Sequence, residues 1–156
     1  PVRVGDAVAP APADEPQFDR RILVVEDDLL NQTIVRRLLE HAGYAVSVAP
    51  NGFDALEALR GRHVDLVLMD WQMPDMDGLE ATRRIRAGEA GEYGRHIPIV
   101  ALTANAFAED RDACLAAGMN DFLTKPVLAG SLNATIARWL PKAGTEPAEE
   151  TTVAAT

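Results

Sequence analysis

The sequence predicts an α/β domain built on one five-stranded parallel sheet, doubly wound, with helices on both faces. Three observations predict it. Short, nearly continuous apolar runs recur along the chain, as strands buried on both faces do. Each run is followed by a segment of helical spacing. The unit of strand then helix repeats five times, and right-handed crossovers distribute the helices over both faces of one sheet.

The first strand is Arg21-Ile22-Leu23-Val24-Val25, and the second is Ala45-Val46-Ser47-Val48-Ala49. Residues 64–69 give a third, residues 97–102 a fourth, and Asp121-Phe122-Leu123-Thr124 the fifth and weakest. Between them, Leu30, Ile34, Leu38 and Ala42 recur every four residues, with Asp28 to cap the start of that helix and Gly43 after its end. Asn51 precedes a second helix with apolar Phe53, Leu56 and Leu59. Gly78 to Ala87 forms a third. Asn105 caps a fourth, which stops at Gly118; Leu128, Leu132, Ile136 and Leu140 form the buried stripe of a fifth, ended by Pro141.

Outside residues 21–141 the composition changes. Residues 1–20 are rich in Pro and Ala without apolar periodicity, and residues 142–156 read the same way, so a linker and a flexible tail are expected. The sequence opens on Pro1 rather than Met, as an excised piece of a longer protein would. The 156 residues suit one domain, and no apolar run approaches the roughly 18 residues that span a bilayer, so no direct membrane contact is expected. No signal-peptide core is found, and the single Cys114 cannot form an internal disulfide; a cytoplasmic setting follows as the default. The formal charge of −9 argues against nucleic acid as a partner, because phosphate contacts need clustered Lys and Arg. Each end contributes −2, leaving −5 for the central part.

Ligands of such sheets bind beyond the carboxyl ends of the strands, near a topological switch point. There the first strand runs into Glu26-Asp27-Asp28, the third ends on Asp70, the fourth ends on Thr103 and the fifth runs into Lys125-Pro126. With strands one and three adjacent, Glu26, Asp27 and Asp70 share one crevice. Two like charges about 4 Å apart repel by about 4 kcal/mol at an effective dielectric near 20. A proton, a cation or the nearby Lys125 must relieve this, and an all-oxygen site suits Mg²⁺, which recruits phosphate oxygens. Asp70 can then act as a nucleophile toward phosphorus, with Lys125 and the metal neutralising developing charge and Thr103 donating to a phosphoryl oxygen. Asp75 and Asp77 lie past the strand in a Pro/Gly loop and read as turn and cap residues. His41, His63 and His96 are too scattered for a metal site, and Trp71 and Trp139 read as packing or partner-surface residues.

The stretches VVEDD, VLMDWQMPDMDG, ALTANA and FLTKP, in that order, resemble the receiver domain of two-component response regulators over about residues 20–140. Asn31-Gln32, LMDWQMPDMDG, ALTANA and AAGMNDFLTKPV are similar to receivers appended to hybrid sensor histidine kinases. The resemblance implies a flavodoxin-like (βα)5 fold with Asp70 as phosphoacceptor. Asp27 would bind Mg²⁺ directly, Glu26 through water, and the backbone carbonyl of Gln72 would add a ligand. Thr103 would be the switch hydroxyl, Phe122 the switch aromatic and Lys125 the phosphate-binding cation, with a cis Lys125-Pro126 bond. Its implied partners are the phosphodonor and dimerisation domain of a histidine kinase and a histidine phosphotransfer protein. A stand-alone response regulator acting by protein–protein contact is the alternative. An aspartyl-phosphate hydrolase using the DxDG-like Asp75-Met76-Asp77-Gly78 is a remote one, since the strand ends five residues earlier. Two departures from the pattern stand out. Asp28 replaces an Asn usual in hybrid receivers and reads as a helix cap, and residues 88–96 read as a surface insertion.

Overall fold

A computed structural model of the chain describes residues 20–104 and 107–140. Five strands form one sheet: β1 (Arg21–Val25), β2 (Ala45–Ala49), β3 (Leu66–Asp70), β4 (Ile99–Thr103) and β5 (Asp121–Thr124). Their order is β2-β1-β3-β4-β5 and every pairing is parallel. The chain therefore reverses direction of travel between β1 and β3, which opens a crevice above their carboxyl ends. The register sets Val25 beside Met69 and Asp70 beside Leu102, so the chain leaves β1, β3 and β4 at nearly the same height.

Alternation along the strands divides the core into two layers. Leu23, Val25, Val67, Met69, Ile99 and Ala101 face one side and Ile22, Val24, Leu66, Leu68, Val100 and Leu102 the other. The first layer is covered by α2 (Gly52–Gly61), α3 (Gly78–Arg86) and α4 (Ala108–Ala117), the second by α1 (Leu29–His41) and α5 (Ala129–Trp139). β3 and β4 are buried throughout, which is why they read as unbroken apolar runs.

Helix faces depart from the expected stripes. On α1 the buried residues are Val35 and Leu39, whereas Leu30 and Ile34 are exposed. A spacing of four advances about 400° around the axis, so a stripe written in fours drifts off the face within two turns. Phe53 and Leu128 are exposed too, at the starts of α2 and α5. α4 begins at Ala108 with Phe107 at its N-cap and no side-chain cap bond; Asn105, expected to cap it, lies outside the described residues. So do Pro141, the tail 142–156 and the lead-in up to residue 19.

Residues 88–96 lie mostly at the surface and are locally ordered. They contain a 3-10 helix, Glu92–Arg95, with Ala90 and Gly94 buried. The Tyr93 hydroxyl directs its proton between the Leu59 and Arg62 carbonyls, at 2.8 and 2.9 Å. Half-buried Arg86 donates to Gly94 O, Gly118 O and Asn120 Oδ1, tying this segment to the α4–β5 connection.

Candidate functional site

The chain reaches the site through backbone hydrogen bonds that extend the sheet. Glu26 N–H continues the sheet by donating to Ala49 O at 3.0 Å, and Trp71 N–H donates to Leu102 O at 2.9 Å. Lys125 N–H donates to Thr103 O at 2.8 Å, so β5 hands its lysine directly to the end of β4. After Asp70 the chain turns sharply. Asp75 adopts φ 70°, a left-handed conformation that Asp tolerates, and Asp77 caps α3 by accepting from Glu80 N–H at 2.8 Å. Gly78 permits the turn, since a Cβ there would stand 2.4 Å from Asp70 O. Asp75 and Asp77 are thus occupied by the turn and the cap, and neither lines the crevice.

The crevice has a volume of about 180 Å³, and its walls include Glu26, Asp27, Asp70, Gln72, Thr103 and Lys125. These six expected residues, drawn from four loops, come together. Glu26, Asp70 and Thr103 are buried, Lys125 is partly covered, and Asp27 and Gln72 are exposed at the rim. One carboxylate oxygen from each of Glu26, Asp27 and Asp70 falls within 4.8 Å of the others. Lys125 Nζ donates to Asp70 Oδ1 at 3.0 Å and forms an ion pair with Glu26 Oε1 at 3.2 Å that lacks the alignment of a hydrogen bond. The peptide bond between Lys125 and Pro126 is cis, as the resemblance implies.

The electrostatics are unfinished. Burial pushes the Glu26 carboxyl up to about 6, and the neighbouring Asp70 charge pushes the same way against Lys125. Burial works to depress Lys125, but its hydrogen bond to Asp70 and the charges of Asp70 and Glu26 outweigh this and raise it. One ammonium faces three carboxylates, so a divalent cation would balance the group. Glu26 Oε1, buried without a hydrogen bond among the described residues, supplies an oxygen already stripped of water. The donors are all oxygen, and the residues present fit Mg²⁺.

Phe122 stands apart. Its ring packs under the Arg111 guanidinium, 5.1 Å from the centroid, beside Cys114 and Leu115 on the α4 side of the sheet. Asp28 lines the crevice, yet its carboxylate is spent on the N-cap of α1, accepting from Asn31 N–H at 3.2 Å. Asn31 and Trp71 also line the crevice. No spacing rule marks either as a wall residue, because each is placed by its neighbour's role.

The response regulator receiver domain family model matches residues 22–137. The sensor histidine kinase GacS of Pseudomonas protegens is 43% identical over 119 residues, covering 76% of this chain and 13% of that protein. The sensor histidine kinase RcsC of Escherichia coli is 40% identical, with 76% and 12% covered. The chain belongs to the response regulator receiver domain family. This receiver thus spans about an eighth of the length of those two kinases. Its fold matches the receiver domain of sensor histidine kinase PA1611 from Pseudomonas aeruginosa, crystallised with a magnesium ion in its active site cleft. The TM-score is 0.70, with 44% identity over 77% of this receiver and 96% of that chain. A similar match, TM-score 0.71 and 34% identity over 77% and 88%, is to a co-crystal structure from Saccharomyces cerevisiae. That structure pairs the histidine phosphotransfer protein Ypd1 with the receiver domain of the response regulator Ssk1.

Proposed function

We propose that Asp70 is the phosphoacceptor of a phosphorelay and that this receiver is a module of a hybrid histidine kinase, on the cytoplasmic side of a membrane-anchored parent. The observation that carries the reading is the buried Asp70 carboxylate, held at 3.0 Å by Lys125 and grouped with Glu26 and Asp27 at one strand-end crevice. A carboxylate oxygen of Asp70 attacks phosphorus while the phosphorus–nitrogen bond of a phosphohistidine breaks, its electron pair returning to the imidazole. Lys125 and Thr103, at the ends of neighbouring strands, meet the phosphoryl oxygens. Glu26, Asp27, Asp70 and the Gln72 carbonyl would hold Mg²⁺, which when bound offsets the charge of the transferring group. Thr103 and Phe122 form the switch, the modified state favouring a second arrangement of β4, β5 and α4.

The phosphodonor is the histidine-bearing dimerisation domain of a kinase, and a histidine phosphotransfer protein receives the group next. The resemblance to GacS and RcsC supports the hybrid parent. Incubation with acetyl phosphate and Mg²⁺, read by intact mass, tests the acceptor. Wild type gains about 80 Da, one phosphoryl group, and Asp70→Asn gains none. Equal labelling of both overturns the assignment.

A further inference from the structure

The crevice depends on one side chain that does not line it. Gln32 is the fourth residue of α1, and its Nε2 donates to the backbone carbonyl of Glu26 at 2.7 Å, near the short limit for such a bond. The peptide unit is planar, so fixing the Glu26 carbonyl fixes the nitrogen and the Cα of Asp27, the atoms from which its side chain departs. Asp27 itself is exposed, so its aim follows the backbone beneath it. The next residue, Asp28, is held from the same helix: Gln32 N–H donates to Asp28 O at 2.9 Å and Asn31 N–H to Asp28 Oδ2 at 3.2 Å. Asp28 N–H in turn reaches Glu26 Oε2 at 3.2 Å. Gln32 therefore holds the loop on both sides of Asp27, the Glu26 carbonyl just before it through its side chain and the Asp28 carbonyl one residue beyond it through its main chain. The helix that supplies the pin is itself anchored in the core by buried Val35 and Leu39.

We propose that Gln32 is a positioning residue that holds the β1–α1 loop in the geometry that presents Asp27 to Mg²⁺, a role that rests on reading the crevice as a Mg²⁺-dependent phosphoacceptor site. Gln32→Met keeps length and bulk while removing the donor. Isothermal titration of the purified chain with MgCl₂ should show the dissociation constant rising about tenfold, the lower range for partners that orient a metal ligand. The Mg²⁺ concentration giving half-maximal phosphorylation by acetyl phosphate should rise by the same factor, while the rate at saturating Mg²⁺ stays within twofold of wild type.

Thr33→Ala is the contrast. It removes a bond to Leu29 O within the same helix, 3.0 Å long, without touching the Glu26 carbonyl. It should leave Mg²⁺ affinity unchanged. If Gln32→Met does not fold, Gln32→Asn, one methylene too short to reach, replaces it. A Mg²⁺ affinity within twofold of wild type in the Gln32 variant, or an equal loss in Thr33→Ala, overturns the inference. A wild-type chain that binds Mg²⁺ but takes no phosphoryl group overturns the phosphoacceptor reading alone, because the calorimetric comparison still decides the role of Gln32.

Discussion

At the starting ends of the strands, Asp65 accepts from Arg21 N–H at 2.8 Å and stands 3.1 Å from His63 Nε2, and the Arg21 guanidinium donates to Ser47 Oγ at 3.0 Å. Asn120 Oδ1 there accepts from both Ile99 N–H at 2.9 Å and Arg86 Nη2 at 2.8 Å. At the finishing ends of the same strands, three carboxylates crowd one lysine, and a buried Glu26 oxygen lacks a hydrogen bond among the described residues. The residue types are alike at the two ends. At one end each of these polar groups has a hydrogen-bond partner, which contributes stability. The other leaves negative charge unbalanced by its own side chains, which makes it receptive to a cation.

The largest effect should come from spoiling the satisfied end. Asn120→Ala leaves the N–H of fully buried Ile99 and one N–H of the half-buried Arg86 guanidinium without their acceptor. Two orphaned donors, one of them charged, should cost about 3 kcal/mol in urea unfolding. Mg²⁺ affinity should stay within twofold, since Asn120 contacts nothing in the crevice. A tenfold loss of Mg²⁺ binding would show that the two ends are coupled rather than separate.

A smaller effect of opposite sign should come from relieving the charged end. Glu26 titrates near 6 in the folded chain against an ordinary 4.5. As pH rises from 4.5 to 6, the unfolded chain releases this proton first, so the folded state loses stability across that window and bears the full penalty above it. The difference corresponds to about 2 kcal/mol. Glu26→Gln, which can still accept from Asp28 N–H, should therefore be more stable than wild type by up to about 2 kcal/mol at pH 8 in EDTA. The gain should shrink below pH 6 and vanish near pH 4.5. Urea melts across pH check it, and a constant gain at every pH would assign the effect to something other than the carboxylate charge.

The same contrast explains what could be read from the sequence. Strands β1, β2 and β5 have the bounds expected, whereas β3 and β4 begin two residues later and end one residue later than the expected 64–69 and 97–102, because a long apolar run does not mark where within it pairing begins. Once the strands were placed, Asp70, Thr103 and Lys125 followed, since each ends a strand or directly follows one. The helices were harder. Leu128, expected in the buried stripe of the fifth helix, is exposed, and so are Leu30, Ile34 and Phe53 despite their helical spacing, because apolar spacing alone does not say which residues of a helix meet the sheet. Gln32 and Asn120 were invisible as structural residues. Each acts on a backbone group of another segment, six and twenty-one positions away, and no local pattern records that.

Asp28 tests where the boundary of the charged end lies, and here the smallest change is expected. It is the fourth acid around the crevice by position, but its oxygen accepts from Asn31 N–H and it is not among the three carboxylates that converge. Asn caps helices about as well as Asp. Asp28→Asn therefore keeps the cap and loses only the favourable interaction of the charge with the start of α1, about 0.5 kcal/mol. Mg²⁺ affinity measured by calorimetry should remain within twofold, because the substitution leaves the carboxylates of Glu26, Asp27 and Asp70 in place. A tenfold fall would move Asp28 from the helix into the metal site, and the charge to be balanced there would then be that of four carboxylates.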